Sequence, residues 1–166
     1  MEIRRLRKDD GALLQGVRLR ALRDAPYAFS SSFERETAHA PEFWEGRAAQ
    51  SDLGQDGAVF VAVERGRCLG MAGGYFAAEE RETAMLWGTW VDPTARRRGL
   101  GRKLVDAVAA WARDCKAHRL RLAVTDCDAS RPAAALYREL GFVETGEHEE
   151  LASDPSLIAL VMLRSL

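Results

Sequence analysis

The sequence predicts an α/β fold in which a mixed β-sheet is flanked by helices. Three observations carry that expectation. Apolar residues change along the chain between a period near two and a period near 3.6, so strands and helices alternate. Segments 57–63 and 68–76 are separated only by Glu64-Arg65-Gly66-Arg67, a hairpin linker by its length and its glycine. Segments 84–91 and 120–124 are separated by an amphipathic helix, the arrangement of a crossover between parallel strands. The 166 residues suit one domain at about 100–200 residues per domain, so 1–166 is read as a single unit.

The elements follow in order. Residues 2–6 alternate and form a short first strand. Asp9 is placed to cap a helix over 10–23, whose Leu13, Leu14, Val17 and Leu22 share one side. Pro26 ends it. Segment 28–39 is polar and without a clear period, with Phe29 and Phe33 as anchors. Pro41 opens a second helix that carries Phe43 and Trp44 and stops at Gly54. Gly70, Gly73 and Gly74 thin the second hairpin strand and predict a bend or bulge there. Residues 79–82 form a charged turn. Segment 84–91 is apolar on both faces, with Met85, Trp87 and Val91 on one and Leu86 and Trp90 on the other, as in a central strand covered on both sides.

A helix over 100–116 places Leu104, Val105, Val108, Trp111, Ala112 and Cys115 on one stripe. The next strand, 120–124, is then parallel to 84–91. Ser130 or Arg131 opens a further helix with Pro132 in its first turn, and Gly141 closes it. Strands at 142–144 and 156–163 complete the sheet on either side of a polar loop at 145–155.

Composition excludes several classes. Hydrophobic residues make up 47%, enough for a folded core. A net charge of −1 lacks the chain-wide basic excess of a nucleic-acid binder, which leaves only the local arginine run for such a role. The N-terminus has no apolar signal core, and the apolar runs at 58–63 and 157–163 are too short to span a bilayer. Cys68, Cys115 and Cys127 have no paired spacing, which points to free thiols in a reducing cytoplasm. His39, His118 and His148 lack metal-ligand spacing, and no metal is expected.

One stretch carries chemistry: Val91-Asp92-Pro93-Thr94-Ala95-Arg96-Arg97-Arg98-Gly99-Leu100-Gly101-Arg102-Lys103-Leu104. A strand end, a proline turn, an arginine run and two spaced glycines lead into a helix. The first N–H groups of a helix lack intrahelical partners, and with the helix dipole they attract phosphate. Glycines let that phosphate approach the backbone. The bland alternative is a turn followed by solvated arginines. No Gly-Lys-Ser/Thr follows, so this is not a Walker loop, and Leu104 stands where a dinucleotide fingerprint needs its third glycine.

A second motif, Ala133-x-x-Leu136-Tyr137-Arg138-Glu139-Leu140-Gly141-Phe142, lies one strand and one helix start downstream. The ordered pair resembles the GNAT superfamily of acyl-CoA-dependent N-acyltransferases. The first stretch is similar to its (Arg/Gln)-x-x-Gly-x-(Gly/Ala) pyrophosphate loop, the second to its A-x-x-L-Y-x-x-x-G-F segment. The resemblance spans nearly the whole chain. It implies a strongly twisted central sheet and transfer of an acetyl group from acetyl-CoA to a primary amine by direct attack in a ternary complex. It also implies that residues Arg96, Arg97, Arg98, Gly99, Leu100, Gly101, Arg102 and Lys103 hold the pyrophosphate. Trp90 and Val91 would pair with the pantetheine and supply an oxyanion donor. Ser130, where the family commonly has Asn, would cap the last helix and offer a hydroxyl.

Tyr137 is then the acid placed near the thioester sulfur. A phenol has a pKa of roughly 10 and a thiol about 8.5, so the phenol can serve a departing thiolate. The central strand holds no carboxylate to act as base. Glu82 just upstream is the first candidate, beside Glu34, Glu36 and a water chain. Core packing is the ordinary fate of Phe29, Phe33 and Trp44, which could also line the acceptor site. Glu147, Glu149, Glu150 and Asp154 make the late loop acidic, which favours a cationic amine. The missing carboxylate and Ser130 leave open a non-catalytic acyl-CoA sensor. No nucleic-acid or membrane partner is expected, and family habit leaves a homodimer open.

Overall fold

The structure is a computed structural model and describes residues 1–77 and 80–166. The charged turn expected at 79–82 therefore begins, at Glu79, outside the described residues. Seven strands form one mixed sheet in the order β1-β2-β3-β4-β5-β7-β6. They are β1 (Glu2–Arg5), β2 (Gly57–Glu64), β3 (Arg67–Phe76), β4 (Thr83–Val91), β5 (Arg119–Thr125), β6 (Val143–Leu151) and β7 (Asp154–Ser165). All neighbours are antiparallel except β4 and β5, which run parallel through the helical crossover.

Helices α1 (Gly11–Asp24), α2 (Phe33–Thr37) and α3 (Pro41–Leu53) cover one face. Leu14, Val17, Ala21 and Leu22 of α1 pack there with Trp44, Val61, Met71 and Trp90. Helices α4 (Leu100–Asp114) and α5 (Arg131–Glu139) belong to the other face, where Leu104, Val105, Val108 and Trp111 meet Ala72, Leu86, Leu120 and Met162. Each amphipathic stripe thus buries itself against one side of the sheet.

Three local expectations are corrected. Asp9 does not cap α1. Asp10 stands at that position, and its carboxylate takes Arg4 and the Arg7 N–H instead of a helix N–H. Ser130 precedes α5 but its hydroxyl caps nothing; it faces Cys127 Sγ at 3.3 Å. The polar loop expected at 145–155 is mostly strand. β6 is exposed at every position but Leu151, and it pairs with β7 as a charged edge strand, with the Thr145 hydroxyl also donating to the Val161 carbonyl at 3.3 Å.

Strand β4 corrects a fourth. Between the pairs Trp87↔Gly73 and Trp90↔Met71 it carries one more residue than β3, and Gly88 there takes φ 65°. This is a bulge, and an extra residue reverses the side-chain alternation beyond it. Trp87 and Trp90 consequently share the α1 face, while Leu86 and Val91 share the α4 face. The glycines of β3 answer for close approach. A Cβ at Gly73 would sit 2.4 Å from the Trp87 ring, and one at Gly74 would sit 2.5 Å from Trp111. β3 itself gains an extra residue, Leu69, opposite the Ala62–Val63 step.

Candidate active site

β4 and β5 pair only at Thr83, Ala84 and Met85. Beyond that point the two parallel strands part. Leu86–Val91 of β4 and Leu122–Thr125 of β5 line the gap, which opens into cavities on both sides of the sheet, about 780 Å³ and 890 Å³ in volume. The two lobes meet at Leu86, Trp87 and Gly88 on one strand and at Ala123 and Thr125 on the other. The bulge of β4 lies at this junction.

The first lobe is bounded by the glycine loop and α5. Gly99, with φ 73°, is the N-cap of α4 and no side chain caps that helix, so its first N–H groups remain open to an anion. Arg97 also adopts a left-handed backbone, φ 61°, at a cost of about 1–2 kcal/mol for a residue with a Cβ. Such strain is typical of ligand-binding loops. Gly101 packs close, since a Cβ there would sit 2.9 Å from Leu136 Cδ2.

The structure brings together most of the residues singled out from the sequence. Trp90, Val91, Arg96, Arg97, Gly99, Leu100, Gly101, Arg102, Ser130 and Tyr137 all line the first lobe. Their side chains are not equally free. Arg96 pairs with Asp24 and donates from Nε to the Val91 carbonyl at 3.1 Å. Trp90 Nε1 donates to the same Asp24 carboxylate at 2.8 Å. Arg96 therefore ties the loop to the end of α1, a role the sequence pattern does not separate from ligand binding.

Arg98 is turned away from the lobe to Glu64 at 2.7 Å, and Lys103 is exposed outside it. Glu82 stands just before β4, at the paired end of the strand. Its carbonyl accepts from His118 and Arg119 N–H, and its exposed carboxylate faces Arg119 at 3.5 Å. Six residues at about 3.3 Å each separate it from Gly88 at the junction, and it lines neither lobe. Glu34 is exposed and lines neither lobe.

Tyr137 is 8% exposed and packs edge-on to Phe142 at 5.8 Å. Burial pushes its phenol above the usual value of 10. The Thr89 hydroxyl, on the bulge, opposes that rise. Thr89 Oγ1 nevertheless completes no hydrogen bond among the described residues. A buried hydroxyl without a partner beside a buried phenol marks a polar spot in an otherwise apolar wall.

The second lobe lies under α1, α2 and α3. Its floor holds a buried ion pair that the sequence reading missed. Arg18 Nε–H is shared between the two Glu36 oxygens at 3.1 and 3.0 Å, and Nη2 donates to Oε1 at 2.8 Å. Burial alone would raise the Glu36 pKa, but the Arg18 hydrogen bonds and charge outweigh it and hold the carboxyl below its ordinary 4.5. Glu36 is thus a locked anion and a poor base. One signal was available: Arg18 falls four residues after Leu14 and four before Leu22, inside the apolar stripe of α1. A charge in a buried stripe calls for a partner. Of the expected acceptor-side aromatics, Phe29 lines this lobe, whereas Phe33 and Trp44 do not; Trp44 is core.

Glycine loop, split sheet and buried phenol together define an α/β transferase of the class that the two motifs resemble. The chain belongs to the acetyltransferase (GNAT) family, whose model matches residues 18–142. Solved structures with the same fold include yncA from Salmonella typhimurium with its cofactor acetyl-CoA. That protein is 22% identical, with 100% of this chain and 94% of that one covered and a TM-score of 0.81. Ribosomal-protein-alanine N-acetyltransferase from Brucella melitensis is 24% identical over 100% of both chains, with a TM-score of 0.75. The paia N-acetyltransferase from Thermoplasma acidophilum, in complex with coenzyme A, is 16% identical over 99% of this chain and 98% of that one, also with a TM-score of 0.75. No curated protein sequence matches the chain.

Proposed function

We propose that the protein transfers an acetyl group from acetyl-CoA to a primary amine, the two substrates entering from opposite faces of the sheet and meeting at the β4 bulge. The observation that carries this reading is the gap between β4 and β5, with the uncapped start of α4 at one end of a lobe and Tyr137 in its wall. The N–H groups that open α4, with Arg97 and Arg102 beside them, hold the pyrophosphate. The unpaired edge of β4 offers its amides to the pantetheine arm, as a strand would. Bound acetyl-CoA in the yncA structure supports this choice of donor.

The chemistry then uses few groups. The neutral amine attacks the thioester carbon; the C–N bond forms and the C–S bond breaks. A backbone N–H of the bulge region, near Gly88–Val91, receives the charge on the carbonyl oxygen. Tyr137 donates its hydrogen bond to the departing sulfur, which ends as a thiol, while the nitrogen loses one proton. An alkylammonium has a pKa of about 10, so it must first release a proton, and this leaves through water in the open second lobe. None of the three cysteines lines either lobe, which agrees with direct attack rather than an acyl-enzyme.

Release of CoA thiol from acetyl-CoA, measured over a panel of amines with wild type and Tyr137→Phe, tests the reading. Turnover with one class of amine, with kcat lowered about 10²-fold or more in the variant and the KM for acetyl-CoA little changed, is the expected result. Tight binding of acetyl-CoA without thiol release from any amine would replace this reading with that of an acyl-CoA sensor.

A further inference from the structure

The second lobe is not uniformly acidic: its lining holds Arg18, Arg35, Arg47 and Arg121 beside Glu36, Asp56, Glu149 and Glu150. Three of the four acids at 147–154 are already engaged. Arg121 takes Glu149 at 2.5 Å and Glu147 at 3.6 Å, and Asp154 holds the N–H and hydroxyl of Ser156. Glu149 and Glu150 reach the lobe only from the edge strand β6.

Its inner end is cationic and aromatic. Arg18 is 6% exposed and gives Nε and Nη2 to Glu36, but its Nη1 is buried with no hydrogen-bond partner among the described residues. That Nη1 lies 3.8 Å from where a Cβ on Gly88 would be, at the junction of the two lobes. Arg47, from α3, lines the same lobe and makes no ion pair among the described residues. The Arg18 and Arg47 guanidinium carbons lie 5.5 and 5.6 Å from the Trp87 ring centroid, and 4.7 and 5.0 Å from Phe29 and Phe43 respectively. Two guanidinium groups against one buried carboxylate leave an excess positive charge bordered by aromatic faces.

We infer that the acceptor is an α-amino acid with a free carboxylate and an apolar side chain, its carboxylate held by Arg18 Nη1 and Arg47 beside the β4 bulge. The inference rests on the acetyl-transfer reading above. Nitrogen and carboxylate carbon of an α-amino acid are about 2.5 Å apart, so an anion held next to Gly88 brings the amine to the same junction. The carboxylate supplies the acceptor that Arg18 Nη1 lacks, in charge-assisted hydrogen bonds. The side chain rests on Phe29, Phe43 and Trp87. The same positive charge disfavours the ammonium form of the acceptor, which eases its deprotonation. A polyamine would set its second cation against Arg18 and Arg47.

The test is CoA thiol release with L-leucine, L-methionine and L-phenylalanine, each against its C-terminal amide, and with putrescine and kanamycin. Wild type is compared with Arg47→Gln and with Arg18→Lys, which keeps a cation for Glu36 and so protects the fold. The free acids are expected to exceed their amides in kcat/KM by about tenfold to a hundredfold, the worth of a hydrogen bond to a charged group. In both variants that ratio falls towards one, through the KM of the acids. Amides equal to the acids, preference for putrescine or kanamycin, or a ratio unmoved by Arg47→Gln would each overturn the inference while leaving acetyl transfer standing. Silence with every amine while acetyl-CoA binds overturns the transferase reading and this inference together.

Discussion

Removing the Glu36 carboxylate asks whether Arg18 is held in a dry site. Both side chains are 7% exposed, and the carboxylate receives every hydrogen bond that Arg18 makes. Glu36→Ala takes these away at once and leaves a buried guanidinium whose Nη1 already has no partner among the described residues. Stripping one member from a buried ion pair costs about 3–5 kcal/mol. At about 2–4 °C per kcal/mol for a domain of this size, the thermal midpoint falls by roughly 6–20 °C. Urea unfolding followed by tryptophan fluorescence measures the loss, with an unchanged m-value showing that the two end states are still comparable. Replacing the pair by Arg18→Met with Glu36→Leu should recover most of the stability, because the cost of dehydrating two charges disappears with them. A loss below about 1 kcal/mol for Glu36→Ala is what a solvated surface pair would give, and it would refute the buried geometry.

Other outcomes follow from the same structure. Because the Glu36 pKa is lower folded than unfolded, its stabilising contribution is complete above the ordinary value of 4.5 and is lost as the pH falls through the folded value, so Glu36→Gln should flatten the acid limb of stability in pH-dependent urea titrations. Arg97→Ala should raise the KM for acetyl-CoA severalfold, whereas Arg98→Ala, whose guanidinium is turned to Glu64, should change it less than twofold in steady-state kinetics. Gly74→Ala drives a Cβ into Trp111 and Val108 and should cost about 1–3 kcal/mol in denaturant unfolding. Burial holds the Tyr137 phenol above 10, so the alkaline fall in kcat that reports its ionisation should lie above pH 10 and vanish in Tyr137→Phe.

The sequence by itself determined the elements that bury one regular face. α4 was legible because Leu104, Val105, Val108 and Trp111 repeat at helical spacing, and α3 because Pro41 and Gly54 bracket it. The parallel partnership of β4 and β5 followed from the crossover, and the two motifs were enough to name the family. What escaped was whatever depends on contacts distant in the chain. The β4 bulge reversed the phase that alternation assigned to Trp87 and Val91, because an added residue is invisible to a count of two. The sequence shows a strand only at 142–144 and not the rest of β6, because a strand exposed on both faces has no apolar period to detect. Side-chain allegiance was also undetermined. Arg97 lines the lobe, Arg96 is bound to Asp24 and Arg98 to Glu64, although the three are consecutive. Glu82 was near β4 in sequence yet at its far end in space. The Arg18–Glu36 pair joins residues 18 apart on different helices. Only packing α1 and α2 over the parted strands decides that this charge faces the place where the two substrates would meet.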